Sequence, residues 1–96
     1  MDNQNINHAE RVESVIAEYE LGATSLGRLV NDLEALIECF DYTRRPESKD
    51  LLFKKWGILE DIYADVLDMK LEIIPEGYEK LIKGALSEIR KITASL

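Results

Sequence analysis

The stretch SLGRLVNDLEALIECF, residues 25 to 40, carries the most regular apolar pattern in the chain. Its apolar residues recur every three or four positions, which is the period of an α-helix and places them on one side of it. Ser25 and the preceding Thr24 are residue types that cap helix N-termini. The pattern therefore predicts an amphipathic helix over residues 25 to 41. Its buried side is formed by Leu26, Leu29, Val30, Leu33, Leu36, Ile37 and Phe40.

The segment before this helix has the same period. Asn7 can cap a helix that carries Glu10 at its third position, close to the capping-box pattern, and Gly22 is a typical residue just beyond a helix end. These signals predict a helix over residues 8 to 21 and leave residues 1 to 7 as a flexible N-terminal tail. The apolar positions of this helix are Val12, Val15, Ile16 and Tyr19.

Two more helices are predicted after the charged, aperiodic segment DYTRRPESKD. The third spans residues 48 to 70, and its wide apolar side predicts contact with two neighbouring helices, with Trp56 at the centre of the core line. The fourth spans residues 75 to 93 and opens at Pro75, whose missing N–H is not needed in a first turn. The core line of the third helix is Leu52, Trp56, Leu59, Tyr63 and Val66, with Leu51, Ile58, Ile62 and Met69 beside it, and the fourth buries Tyr78, Leu81, Ile82, Ala85, Ile89 and Ile92.

Length and composition agree with a small helical domain. The 96 residues fit one domain, and 46% hydrophobic with 32% charged residues is a globular rather than a disordered composition. No convincing strand pattern is present. Four amphipathic segments joined by short loops predict an all-α protein, an antiparallel four-helix bundle, in which residues 8 to 96 form a single domain.

Charge and cysteine usage narrow the possible partners and compartment. A net charge of −7 argues against nucleic acid or an anionic membrane as ligand, because both attract basic surfaces. No apolar run approaches the ~18 residues of a membrane span. Cys39 is the only cysteine, so the chain can form no internal disulfide, and a lone thiol suits a reducing compartment. We therefore expect a cytoplasmic protein that meets a basic partner.

Catalytic and metal chemistry find little support in the sequence. His8 is the only histidine and precedes the periodic part of its helix, and no base is expected near Cys39. The glycines match no phosphate-binding fingerprint. Gly57 and Gly84 lie inside predicted helices, where each costs about 1 kcal/mol relative to alanine, so they should allow a close helix crossing or leave room at a surface contact. We predict no catalytic residue, metal site or cofactor.

The acidic segment EDIYADVLDMKLE, residues 60 to 72, is the strongest candidate for a functional surface. Helical spacing aligns Asp61, Asp65, Asp68 and Glu72 in one stripe, on the opposite side from Leu59 and the core line. Like charges at these spacings destabilise a helix by ~0.2–0.5 kcal/mol per pair, whereas the fourth helix mixes its charges. The stripe is either a solvated face or a face kept for a partner.

A second acidic line, Glu34, Glu38 and Asp41, lies on the second helix and ends at Tyr42, an aromatic residue that could anchor an interface. Whether the two lines adjoin depends on helix packing. Together they form the predicted binding surface for a basic protein.

In its layout over residues 8 to 93, the chain resembles the bacterial immunity proteins that block toxin nucleases, such as the colicin D immunity family and those of contact-dependent inhibition systems. The early amphipathic helix SLGRLVNDLEALIECF and the later acidic helix WGILEDIYADVLD carry the resemblance. It implies inhibition by occlusion, in which acidic side chains of helices two and three fill the basic groove where nucleic acid would lie. Arg44 and Arg45 depart from a uniformly acidic surface.

Two other classes remain open. A structural or regulatory homodimer would use the wide apolar side of the third helix, so the protein could be a monomer or a homodimer. A metal-dependent all-α phosphohydrolase would need carboxylates that point into the bundle, and the predicted stripe points away from it.

Overall fold

The computed structural model describes residues 3 to 96, and it contains four helices and no strand within that range. The helices are α1 (Asn3–Glu20), α2 (Leu26–Cys39), α3 (Glu47–Asp68) and α4 (Glu76–Ala94). Each helix packs against its neighbour in the chain, and α4 closes the ring against α1. The predicted all-α, antiparallel four-helix bundle is therefore confirmed. None of the described helices combines the length and the apolar composition that a membrane crossing needs.

The apolar stripe of α2 is the best predicted part of the core. All seven of its predicted positions are buried, and Leu29, Leu33 and Ile37 are completely inaccessible to solvent. Ser25 caps the helix as expected, because its Oγ accepts a hydrogen bond from the backbone N–H of Arg28 at 3.2 Å. Gly22, with φ +79°, ends the preceding helix in the left-handed conformation that glycine adopts without cost.

α3 packs against both α2 and α4, as its wide apolar side predicted. The placement of Trp56 at the centre of the core line was wrong, because this side chain is only half-buried. Trp56 lies toward α2, where its Nε1 donates a hydrogen bond to the backbone carbonyl of Val30 at 2.8 Å. An indole ring whose N–H donates a hydrogen bond typically lies at the margin of a core rather than at its centre. The centre of the α3 face is formed by Leu52, Leu59 and Ile62.

The first helix is longer than predicted. Residues 3 to 7 are helical and not a flexible tail, and Asn7, the predicted cap, lies inside the helix. Asn5 is only 4% exposed, and its Nδ2 donates to the backbone carbonyls of Asp41 at 2.9 Å and Leu96 at 3.3 Å. Its Oδ1 accepts from the backbone N–H of Asp41 at 2.8 Å. The tail prediction for residues 1 and 2 lies outside the described residues.

The turn between α3 and α4 also differs in detail. α3 ends at Asp68, two residues earlier than predicted, and Lys70 adopts a left-handed φ of 54° that turns the chain away from the helix axis. Pro75 caps α4 rather than forming its first helical residue, since its ψ of 148° is extended. The acidic segment is therefore split between a helix and the loop that follows.

A close approach between helices occurs at Gly27, which packs under Tyr63 of α3. A β-carbon at Gly27 would come within 2.5 Å of the Tyr63 hydroxyl oxygen. Gly57 and Gly84 have a different role, because a β-carbon at either position would meet no atom within 4 Å. Of the two expectations for these glycines, a close helix crossing is wrong, and room for a surface contact stays a prediction.

Candidate partner-binding surface

The predicted acidic stripe is exposed, but only part of it is helical. Asp61, Asp65 and Asp68 lie on the solvent side of α3, and Glu72 is exposed in the loop beyond the helix end. Within residues 3 to 96, none of these four carboxylates forms an ion pair with a basic side chain. Their negative charge is therefore available to a partner.

Tyr78 of α4 fixes the direction in which this stripe faces. Its hydroxyl donates a hydrogen bond to Oδ2 of Asp65 at 3.2 Å, so the stripe lies on the α4 side of α3. Partial burial, followed by the negative charge of Asp65, raises the pKa of Tyr78 above its ordinary value. The phenol consequently stays neutral and continues to donate at physiological pH.

Two short residues lie beside the helical carboxylates. Gly57 lies one turn before Asp61 on the same side of α3, and Ala64 is exposed between the aspartates. Because these side chains project little, another molecule can approach the helix backbone closely. We call the surface formed by Gly57, Asp61, Ala64, Asp65 and Asp68 the α3 acidic face.

The second acidic line is less available to a partner than the first, because one of its carboxylates is already in an ion pair. Glu34 and Glu38 are both exposed on α2. Glu38 is already paired, with its Oε2 3.3 Å from Nζ of Lys49 at the start of α3. An exposed ion pair of this kind contributes little to stability, yet it neutralises part of the charge that the line would offer a partner.

Asp41 and Tyr42, at the end of that line, form side-chain hydrogen bonds with residues nearby in the chain. The Asp41 carboxylate accepts hydrogen bonds from the backbone N–H of Thr43 at 2.9 Å and from its hydroxyl at 2.5 Å. These bonds lower the pKa of Asp41. Tyr42 is half-buried, and its hydroxyl donates to the backbone carbonyl of Ile37 at 2.5 Å. Both residues are thus engaged in the loop that follows α2.

The two acidic lines do not adjoin. α2 and α3 run antiparallel, so Glu38 lies beside Lys49 at one end and Gly27 beside Tyr63 at the other. At ~1.5 Å per residue, Asp65 is roughly 24 Å along the α3 axis from Lys49. The lines also face different ways, because the first borders α4 and the second borders the α2–α3 seam. The single continuous acidic surface that adjacency would have created is absent.

A groove lies where the ends of α1 and α3 meet the starts of α2 and α4. Its volume is about 860 Å³. We call it the end groove, and its lining includes Tyr19, Tyr63, Glu72, Ile73, Glu76 and Glu79. Sequence periodicity did not predict it. The one available signal was the segment LEIIPEG, where apolar residues occur outside any helical repeat.

Tyr19 and Glu79 face each other across this groove. Burial of Tyr19, followed by the negative charge of Glu79, raises the pKa of the phenol to about 12. Tyr19 therefore contributes a neutral hydroxyl to the wall at physiological pH. The end of α1 and the first turn of α4 form the two sides of the opening.

The opposite end of the bundle is polar. A cavity of about 680 Å³ there is lined by residues that include Asn5, Asp41, Arg44 and Arg45. Both arginines are exposed. The basic pair that departed from an acidic surface in the sequence therefore lies at the far end of the molecule from the α3 acidic face.

The remaining chemical groups are dispersed. Cys39 is exposed as the last residue of α2, and the imidazole of His8 packs edge-on to Phe40, with ring centroids 5.5 Å apart. In the part of the chain that the structure describes, no three His, Cys, Asp or Glu side chains are grouped as a metal site would require.

The chain matches no protein-family model, no curated protein and no solved structure. Its surface geometry and charge are therefore the observations that bear on function.

Proposed function

We propose that this protein is a non-enzymatic binding protein whose α3 acidic face docks on a basic surface of another protein. One observation carries the proposal: Asp61, Asp65 and Asp68 are exposed in line on one helix and pair with no basic side chain within residues 3 to 96. A basic partner would supply the missing cations.

The energetics of the helix favour this role over a solvated face. Exposed helix faces gain stability from pairs of opposite charge, as Arg28 and Asp32 on α2 illustrate with 3.6 Å between Nε and Oδ2. The α3 acidic face instead carries repelling pairs and, at Gly57, a glycine that costs about 1 kcal/mol relative to alanine. Selection for stability alone would remove both features, whereas selection for binding would keep them.

We further propose that the partner is a toxin nuclease and that the protein is its immunity protein. This step rests on the resemblance in layout together with the acidic face, which would occupy the basic groove that holds nucleic acid. Opposite charges on the two surfaces would accelerate association and orient the complex. Such an inhibitor would act in the cytoplasm, a reducing compartment that suits the exposed thiol of Cys39.

The homodimer alternative has weaker support. The apolar side of α3 that would carry it is largely used inside the bundle, where Leu52, Leu59 and Ile62 are buried. Mass measurement in solution tests this alternative directly, because a tight dimer formed by α3 would contradict a one-to-one inhibitor. A phosphohydrolase gains no specific support, since the aspartates of α3 face solvent.

Charge reversal of the α3 acidic face tests the proposal. In the test variant Asp65 and Asp68 are both replaced by lysine. In the control Glu10 and Glu18 are replaced by lysine; both are exposed on α1, diagonally across the bundle. Each substitution changes the charge by two, so both variants shift the net charge from −7 to −3. Any effect of total charge is therefore matched.

Both variants should keep the parental melting temperature, because exposed charges contribute little to stability. Baits of all three proteins, incubated with extract of the producing cells, should retain a basic protein on the parent and the control only. Once that basic protein is purified, the rate constant for its association with the test variant should be about tenfold or more below the parental value. The parental rate constant should fall as the salt concentration rises. Inhibition of nuclease activity by the parent but not by the test variant would support the immunity role. Equal recovery and equal rates for all three proteins would reduce the stripe to a solvated face.

A further inference from the structure

Large exposed apolar side chains are concentrated at the end of the bundle that holds the end groove. Five of them occur there, whereas the other two exposed ones in the described chain, Ile6 and Leu51, belong to the opposite half. One of the five, Ile73, lines the groove itself, and exposed apolar side chains beside a concavity are typical of a binding site. The five, with their exposed fractions, are Leu21 (85%), Leu67 (58%), Met69 (52%), Ile73 (84%) and Leu81 (56%).

The surroundings of the groove carry an excess of negative charge. Glu72, Glu76 and Glu79 line it, against Lys80 and Lys83 on the α4 side. The aspartates of the α3 acidic face belong to the same end of the bundle, where Asp65 accepts a hydrogen bond from Tyr78 in the first turn of α4. An occupant would therefore combine apolar groups with positive charge.

Building on the proposed function, we propose that the end groove receives the apolar side chains of a basic amphipathic segment of the partner protein. The lysines or arginines of that segment would meet Glu72, Glu76 and Glu79 at the groove and extend toward the α3 acidic face, while its leucine-like side chains enter the groove. The volume of about 860 Å³ is sufficient for two or three such side chains. The arrangement is that of an amphipathic helix bound in a groove, with buried anchors surrounded by charged contacts.

Charge complementarity also decides between this occupant and others. A second copy of the chain would bring two surfaces of excess negative charge together, which is unfavourable at close range. An anionic membrane would be repelled by a protein of net charge −7. A basic segment meets both the apolar cluster and the carboxylates beside it.

Three fluorescently labelled synthetic helical peptides of about 14 residues serve as probes. The first places leucines at the three- and four-residue spacing of an amphipathic helix and lysines at the other positions. The second replaces every leucine by alanine, and the third replaces every lysine by glutamate. Fluorescence anisotropy with the intact protein should give the tightest binding for the first. The second should bind about tenfold or more weakly because it lacks anchors, and the third should not bind.

Matched variants then locate the site. Ile73→Ser removes an exposed apolar side chain that lines the groove, and Leu51→Ser removes one at the other end of α3. Both residues are exposed, so both variants should fold like the parent. Ile73→Ser should lower the affinity of the protein for the leucine–lysine peptide by about threefold to tenfold, and Leu51→Ser should leave that affinity unchanged. Amide chemical shifts should move at residues around the end groove.

The outcomes separate the two proposals. If the leucine–lysine and alanine–lysine peptides bind equally and Ile73→Ser changes nothing, the groove inference fails while the acidic-face proposal stands. If neither basic peptide binds, or reversal of Asp65 and Asp68 leaves their affinity unchanged, the proposed function fails. Tight binding of the glutamate peptide would indicate a purely apolar site and overturn the inference. Sedimentation that reveals a dimer dissociated by Ile73→Ser would assign the groove to a second copy and overturn it as well.

Discussion

Replacing Gly57 by alanine should separate the stability of α3 from its function. Gly57 lies in the interior of the helix, and an added β-carbon would meet no atom within 4 Å. The substitution therefore creates no clash and no new contact, and only the helix propensity changes. Alanine is favoured over glycine by about 0.8–1.0 kcal/mol in a helix interior, which in a domain of this size corresponds to roughly 4–8 °C in melting temperature.

Gly84→Ala is the matched control, because Gly84 is also a glycine in a helix interior with nothing within 4 Å of a β-carbon built on it, but it belongs to α4. Thermal and urea unfolding should give similar stabilisation for both variants. Binding to the basic partner should weaken only for Gly57→Ala, since its methyl group rises from the α3 acidic face. A Gly57→Ala protein no more stable than the parent would refute the helical geometry assigned to this position. Stabilisation with unchanged affinity would remove Gly57 from the docking face.

The remaining predictions concern two side chains whose roles differ from the sequence-based expectation. Asn5→Ala should lower the free energy of unfolding by about 2–3 kcal/mol in urea titration, because it leaves buried backbone groups at the ends of α2 and α4 without partners; an effect near zero would mean that this contact is not formed in solution. Trp56→Phe should cost about 1 kcal/mol through loss of the hydrogen bond to Val30, and Trp56→Ala about 2–3 kcal/mol, below the 3–5 kcal/mol of a fully buried aromatic residue. Equal losses for the two Trp56 variants would contradict a role for the indole ring in packing.

Periodicity predicted those parts of the fold in which burial follows a local repeat. In α2, every position of the apolar stripe is buried, and the cap at Ser25 is correct, because both depend on residues close in sequence. The start of α1 could not be predicted in this way. Asn5 is held by backbone groups 36 and 91 residues away, and such contacts leave no periodic signal in the sequence.

The same distinction between local patterns and long-range contacts applies to the candidate site. The exposure of Asp61, Asp65 and Asp68 follows from the helical phase of α3, which the apolar residues opposite them define. The end of the helix removes Glu72 from that line, because a left-handed residue at Lys70 could not be inferred from the sequence pattern. The end groove depends on where four helix termini and a loop come together in space, so no single segment encodes it.

The two ends of the bundle differ in a way that favours the groove end for binding. At the polar end, Asn5 joins the start of α1 to the ends of α2 and α4 by hydrogen bonds that are partly or fully buried. At the groove end, the side-chain hydrogen bond between α3 and α4, from Tyr78 to Asp65, is exposed. Exposed polar contacts contribute less to stability than shielded ones, and segments that adapt to partners are drawn from the less stable parts of a fold. A partner that fills the groove would add there the apolar contacts that the chain itself leaves unmade.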